Sequence, residues 1–146
     1  MKRPVDLTVL YLIKQVELAV RSRLDEVLAE RDLTSLQYTA LTVLERHPGM
    51  TAAALARNSF VRAQTMAQMV GYLEERGLVA RRRDPHNRRQ HLIELTEDGQ
   101  GALDELRERV EAVEALALSG LTQAEALQLR AALRSVRVAL GGVLPH

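Results

Sequence analysis

Arg62-Ala63-Gln64-Thr65-Met66-Ala67-Gln68 sets polar side chains at the spacing of a helix face. Gln bonds adenine bidentately, Arg bonds guanine, and a Thr methyl meets the methyl of thymine. The small Ala63 and Ala67 let such a helix sit deep in a groove. Arg62, Gln64, Thr65 and Gln68 are therefore candidates for base-edge contact, although the same stretch also fits an ordinary solvated helix face. A sharper signal lies downstream. Residues 80–91 hold five arginines against one aspartate. Arg88 and Arg89 stand beside Asp84-Pro85-His86-Asn87, which is turn chemistry, where an extended side chain enters a minor groove. Arg81, Arg82 and Arg83 precede that turn, and strand alternation points Arg82 away from its two neighbours, so the three do not all face one duplex. Arg82, Arg88 and Arg89 are the candidates here. Phosphate contacts from such residues supply affinity that falls with salt and carries no sequence information.

Other chemistry is missing from the sequence. With no cysteine there is no disulfide framework, thiol nucleophile or thiolate metal site. The histidines, His47, His86, His91 and His146, form no HExxH, and neither a glycine-rich phosphate loop nor G-x-S-x-G occurs. Residues 97–118 carry seven acids against Arg107 and Arg109; the acids recur opposite an apolar stripe, as on a solvated helix face. Tyr11, Tyr38, Phe60 and Tyr72 are too few for a single-strand stacking platform. We expect no enzyme, no metal and no cofactor.

Short helix, tight break and longer helix would position the first polar face. Thr34-Ser35-Leu36-Gln37 is a capping box opening a helix with Leu36, Ala40, Val43 and Leu44 inward, and His47-Pro48-Gly49 stops it. Thr51 caps a short helix from Ala52 to about Arg57. After a break at Asn58-Ser59-Phe60-Val61, a third helix runs from about Arg62 to Arg76, with Met66, Met69, Val70 and Leu73 on one face and Gly77 as its stop. This is the helix-turn-helix pattern. Leu78–Arg82 and Gln90–Leu95 then read as strands of a hairpin, which makes the module a winged helix.

Long apolar seams bracket that module. Val5, Val9, Ile13, Val16, Val20, Leu24 and Val27 recur at helix period, while Leu7, Leu10, Leu12 and Leu18 lie off the stripe. A helix apolar on more than one side needs cover on more than one side. Leu103, Leu106, Val110, Val113 and Leu116 form an inward stripe after Thr96. A second capping box, Thr122-Gln123-Ala124-Glu125, precedes Leu129, Leu133, Val136 and Leu140. The expected architecture is mainly α with a small β-hairpin. It is a single domain over 1–146, with a winged helix-turn-helix at 33–96 flanked by dimerisation helices at 4–31 and 97–141. A second copy is the simplest cover, and it sets two recognition helices against two half-sites.

The whole-chain arithmetic agrees. The 146 residues suit one compact domain, and 47% hydrophobic content rules out a wholly disordered chain. A net charge of +1 hides the separation of a basic turn from an acidic helix. Eighteen of the twenty cations are arginines; arginine suits phosphate contact, but codon usage is the larger part of the explanation. The longest apolar-and-Thr run, Leu7 to Ile13, is far below the roughly 18 residues of a membrane span, and the start shows no cleavage site. A cytoplasmic protein with no membrane partner is expected.

The chain resembles the MarR family of bacterial transcriptional regulators. The resemblance rests on Leu33-Thr34, Leu73-Glu74-Glu75-Arg76-Gly77-Leu78-Val79, and Asp84-Pro85-His86-Asn87-Arg88-Arg89 followed by Leu95-Thr96-Glu97-Asp98-Gly99. It implies a winged-helix homodimer on a palindromic double-stranded operator, usually a repressor, often released by a small aromatic or lipophilic effector. By that resemblance Arg89 matches the family's most regular wing arginine. The family commonly has Asp two residues earlier, where this chain has Asn87. Tyr11, Tyr38 and Arg81 are the candidates for effector contact. A winged-helix protein-interaction module without DNA binding is the alternative from another class.

Overall fold

The computed structural model describes residues 6–141. The order is α1 (Val9–Leu28), α2 (Ser35–Arg46), α3 (Ala52–Asn58), α4 (Ala63–Glu75), β1 (Val79–Asp84), β2 (Asn87–Leu95), α5 (Glu97–Ala117) and α6 (Gln123–Ala139). A 3-10 turn, Ala29–Arg31, extends α1. Five of these helices start on a threonine. Thr8, Thr34, Thr51, Thr96 and Thr122 each accept a hydrogen bond from the backbone N–H three residues on. Both expected capping boxes are closed, Thr34 with Gln37 and Thr122 with Glu125. Helix α4 differs: Arg62 is its N-cap and makes no side-chain bond there.

The core lies where α1, the winged module and α5 meet. Leu28, Leu41, Leu44, Leu55, Met66, Leu73, Ile93 and Leu106 are fully buried. Each such side chain contributes roughly 1.5–3 kcal/mol through burial. Met66, Met69, Val70 and Leu73 form the inner face of α4, as their spacing predicts. Two inward assignments fail. Leu36 is 47% exposed because it lines an open cavity between α1 and α2, and Leu116 is 50% exposed because it lies beyond Leu106, the last buried residue of α5.

The hairpin is longer than its sequence suggests. β1 and β2 pair in register from Val79↔Leu95 to Arg83↔His91, and the register then jumps to Asp84↔Asn87. Only Pro85 and His86 turn the chain, and Arg88, Arg89 and Gln90 form a bulge on β2. Ile93 N–H donates to the Met50 carbonyl at 2.7 Å, fastening the wing to the α2–α3 connection.

The end helices are largely uncovered. Leu28 is the one buried residue of α1, and α6 has none. Val9, Leu10, Val16, Leu127, Val138 and Leu140 are all at least 60% exposed. Val5, part of the expected stripe, lies outside the described residues. Among the described residues no helix is long and apolar enough to cross a membrane.

Candidate nucleic-acid interface

Helix α4 offers two opposite faces. Met66, Met69, Val70 and Leu73 anchor it in the core, which leaves Arg62, Gln64, Thr65 and Gln68 exposed on the outer side. None of these four side chains has a hydrogen bond or ion pair among the described residues. Their polar groups are therefore open to an external partner. Arg62 does not cap the helix, so the first turn of α4 has no side-chain acceptor from its N-cap.

The wing arginines divide. Arg88 and Arg89 sit on the bulge, exposed and without a side-chain partner among the described residues. Arg82 is instead engaged within the wing: its Nε donates to Glu94 Oε1 at 2.6 Å. Arg81 turns to the other face and pairs with Glu74 of α4 at 3.5 Å. Strand alternation thus separates the two, as expected. It also leaves Arg82 less available than the arginines at the tip.

Asp84 builds the tip. It is buried, and its two oxygens accept from the backbone N–H of His86 at 2.8 Å and the Gln90 side-chain amide at 2.7 Å. The His86 bond, then Gln90, holds its carboxyl below the usual carboxylate range. Asn87 does not reach the Arg89 guanidinium. Its Oδ1 accepts from the Arg89 backbone N–H at 3.1 Å. The neutral side chain therefore shapes the bulge while the Arg89 head stays unpaired.

The three residues considered for effector contact lie on three different elements. Tyr11 is exposed on α1. Tyr38 is half-buried on α2, where burial pushes its hydroxyl up in pKa and Arg107, Glu45 and Glu111 are its charged neighbours. Arg81 is on the wing. A cavity of about 880 Å³ opens elsewhere, between α1, α2 and the α3–α4 turn, lined by residues that include Arg21, Leu24, Leu36, Ser59 and Phe60. Ser59 is 2% exposed, and its hydroxyl has no partner. Phe60 has a left-handed backbone, φ 60°, beside it. No periodicity marks either residue, and the sequence offers no signal that would have singled them out. Among the described residues no cluster of His, Cys, Asp or Glu is arranged to hold a metal ion.

Comparison with known proteins fits this geometry. The model of the MarR family matches residues 31–90. Over 72 residues the chain is 35% identical to the transcriptional regulator HosA of Escherichia coli, covering 49% of this chain and 53% of HosA. The match thus spans about half the length of that relative. The transcriptional repressor Rv2887 of Mycobacterium tuberculosis is 30% identical over 112 residues, 77% of this chain and 81% of the relative. Among solved structures, CouR of Rhodococcus jostii bound to p-coumaroyl-CoA superposes with a TM-score of 0.79 at 28% identity, covering 88% of this chain and 90% of CouR. CouR bound to a 23-mer DNA duplex superposes with a TM-score of 0.82 at 26% identity, covering 89% and 92%.

Proposed function

The chain belongs to the MarR family, and on that premise we propose that it is a homodimeric transcriptional regulator. It binds double-stranded DNA at a palindromic operator, as a repressor that a small aromatic or lipophilic molecule relieves. The observation that carries this reading is the set of side chains left without internal partners: Arg62, Gln64, Thr65 and Gln68 on α4, and Arg88 and Arg89 on the wing. A helix pinned in the core by one face, with its opposite polar face exposed and free of internal partners, is able to present that face to a duplex. Gln64 and Gln68 would read base edges, and Arg88 and Arg89 would hold phosphate or enter a minor groove. Arg82 is a weaker contact, since it would have to leave Glu94. The exposed seams of α1, α5 and α6 are the pairing surface, with residues 33–96 as the reading module. The protein acts in the cytoplasm and catalyses no reaction.

The relief mechanism is supported by CouR's capture of p-coumaroyl-CoA and by room in this chain. The cavity beside Ser59 and Phe60 adjoins the turn that launches α4, so an occupant there would act on the reading helix. Tyr38 and Arg81 stay candidates only if a second copy brings them to one cleft.

The test is selection of bound fragments from genomic DNA, followed by titration of the recovered operator. Replacing Arg88 and Arg89 together by Ala should weaken binding at least 30-fold at moderate salt, with a shallower fall of log affinity against log salt. Unchanged affinity in that double variant would return the chain to the class of protein-interaction modules.

A further inference from the structure

Arg76, the residue that ends α4, reaches across the molecule. Its guanidinium passes over the Tyr72 ring, 5.5 Å from the centroid. It then donates from Nη1 to the Asp32 carbonyl at 2.8 Å and from Nη2 to the Arg31 carbonyl at 2.7 Å. Those carbonyls close the 3-10 turn that continues α1. Asp32 is in the left-handed region, φ 52°, so the chain leaves the helix there and its last carbonyls lose their helical donors. A planar fork satisfies two such oxygens at once, at the negative end of the helix. A lysine ammonium would meet them only as a point charge.

The same turn is held from the other side. Arg31 pairs with Glu105 of α5 at 3.3 Å, and Glu30 pairs with Arg109 of α5. Residues 30–32 therefore join α1 and α5, which carry the exposed apolar seams, to α4, which carries the unpartnered polar face. Leu28, Leu33 and Leu73 pack in the same core and set the approximate angle at which these elements meet. The guanidinium fork is directional.

We infer that Arg76 is a positioning residue: it fixes the direction of α4 relative to α1 and so the separation of the two reading helices in the dimer. This rests on the regulator reading above. Half-sites lie about 34–36 Å apart, one helical turn, so each inserted base pair shifts and rotates the second site. A rigidly held α4 makes binding steep in that spacing. A loosened α4 flattens it.

The experiment measures operator affinity over spacers from two base pairs shorter to two longer, for wild type, Arg76→Ala and Arg76→Lys. Wild type should lose at least 10-fold for a single inserted base pair. Arg76→Ala should keep its dimer mass and helicity, bind the best spacing several-fold more weakly, and discriminate between spacers by less than 3-fold. Arg76→Lys should fall between. An equal loss at every spacing, or no change, overturns the inference; if Arg76→Ala does not fold, a wild-type spacing profile in Arg76→Lys overturns it instead. A second measurement needs no DNA. The chain has no cysteine, so Ala67→Cys places one spin label on each exposed α4. The label-to-label distance distribution should be narrow, and broader when Arg76 is replaced; equal widths overturn the inference. A wild type that ignores every duplex while the label distances still broaden would instead sink the regulator reading.

Discussion

Gly99 shows how one atom constrains the joint between wing and α5. A Cβ built there overlaps the Leu78 carbonyl oxygen, which is backbone and has no rotamer to escape into. The close approach exists because Thr96 bonds the α4–β1 connection twice: its N–H donates to Leu78 O at 3.1 Å, and its hydroxyl donates to Gly77 O at 2.5 Å. Gly99→Ala should therefore cost about 2–3 kcal/mol, as overpacking against a fixed wall does, measurable as a lowered urea midpoint. Gly101, with open space around it, should tolerate the same change. Asp84 makes a pH-dependent prediction. Its folded pKa lies below its unfolded one, so its contribution is full above the ordinary carboxylate pKa of ~3.9 and is lost as pH falls through the lower folded value. Backbone amides of 84–90 should lose protection on acidification in wild type. In Asp84→Asn that loss should be absent, and an unchanged acid profile in the variant would refute the assignment.

Between elements, α2 is bonded to α5 by a small polar cluster. Glu45 Oε2 accepts from the Gln100 amide and from Arg107 Nη2, both at 2.6 Å, and Arg107 also meets Asp104 at 3.2 Å. The Gln100 bond, then Arg107, holds the Glu45 carboxyl below its usual range. Part of what reads as an acidic solvated face in 97–118 is thus in contact: Asp104 and Glu105 have cationic partners, and Arg107 serves α2. Glu45→Ala removes two charge-assisted bonds on a half-buried oxygen. It should lower stability by about 1–2 kcal/mol, read from chemical denaturation, and leave the α4 face unaltered. An effect within 0.5 kcal/mol would demote the cluster to a surface pair.

At the scale of the whole molecule, α6 is the element with the least support from its own chain. A 17-residue helix with no buried residue gains little from its own chain. In an isolated copy α6 should exchange its amides quickly, and in the dimer slowly. Leu133 is 50% exposed and Val138 60% exposed. In a lone chain Leu133→Glu with Val138→Glu would be nearly neutral. As part of a pairing surface the double variant should sediment as one copy, and it should abolish the rise of wild-type melting temperature with protein concentration. A wild type whose melting temperature is independent of concentration, and which sediments as a single copy, would remove the basis for two reading helices.

Local signals in the chain determined the order of the helices, most of their starts, and the place of the hairpin though not its length. Threonine caps, glycine stops and the 3.6-residue period of Met66, Met69, Val70 and Leu73 act through neighbours a few residues away, so composition and spacing carry them. The exposed polar set on α4 followed from the same period. Tertiary structure alone decided how far the core extends, which left Leu36 and Leu116 outside it. It also decided which arginines are free: Arg82 and Arg81 are taken by Glu94 and Glu74, Arg76 by the carbonyls of residues 31 and 32, while Arg88 and Arg89 are left open. These pairings join residues 12 to 45 positions apart or lie across two elements, and each depends on the angle at which those elements pack. Apolar period marks a candidate inner face locally, whereas the burial of that face, an ion pair or a carbonyl fork exists only once the elements have packed.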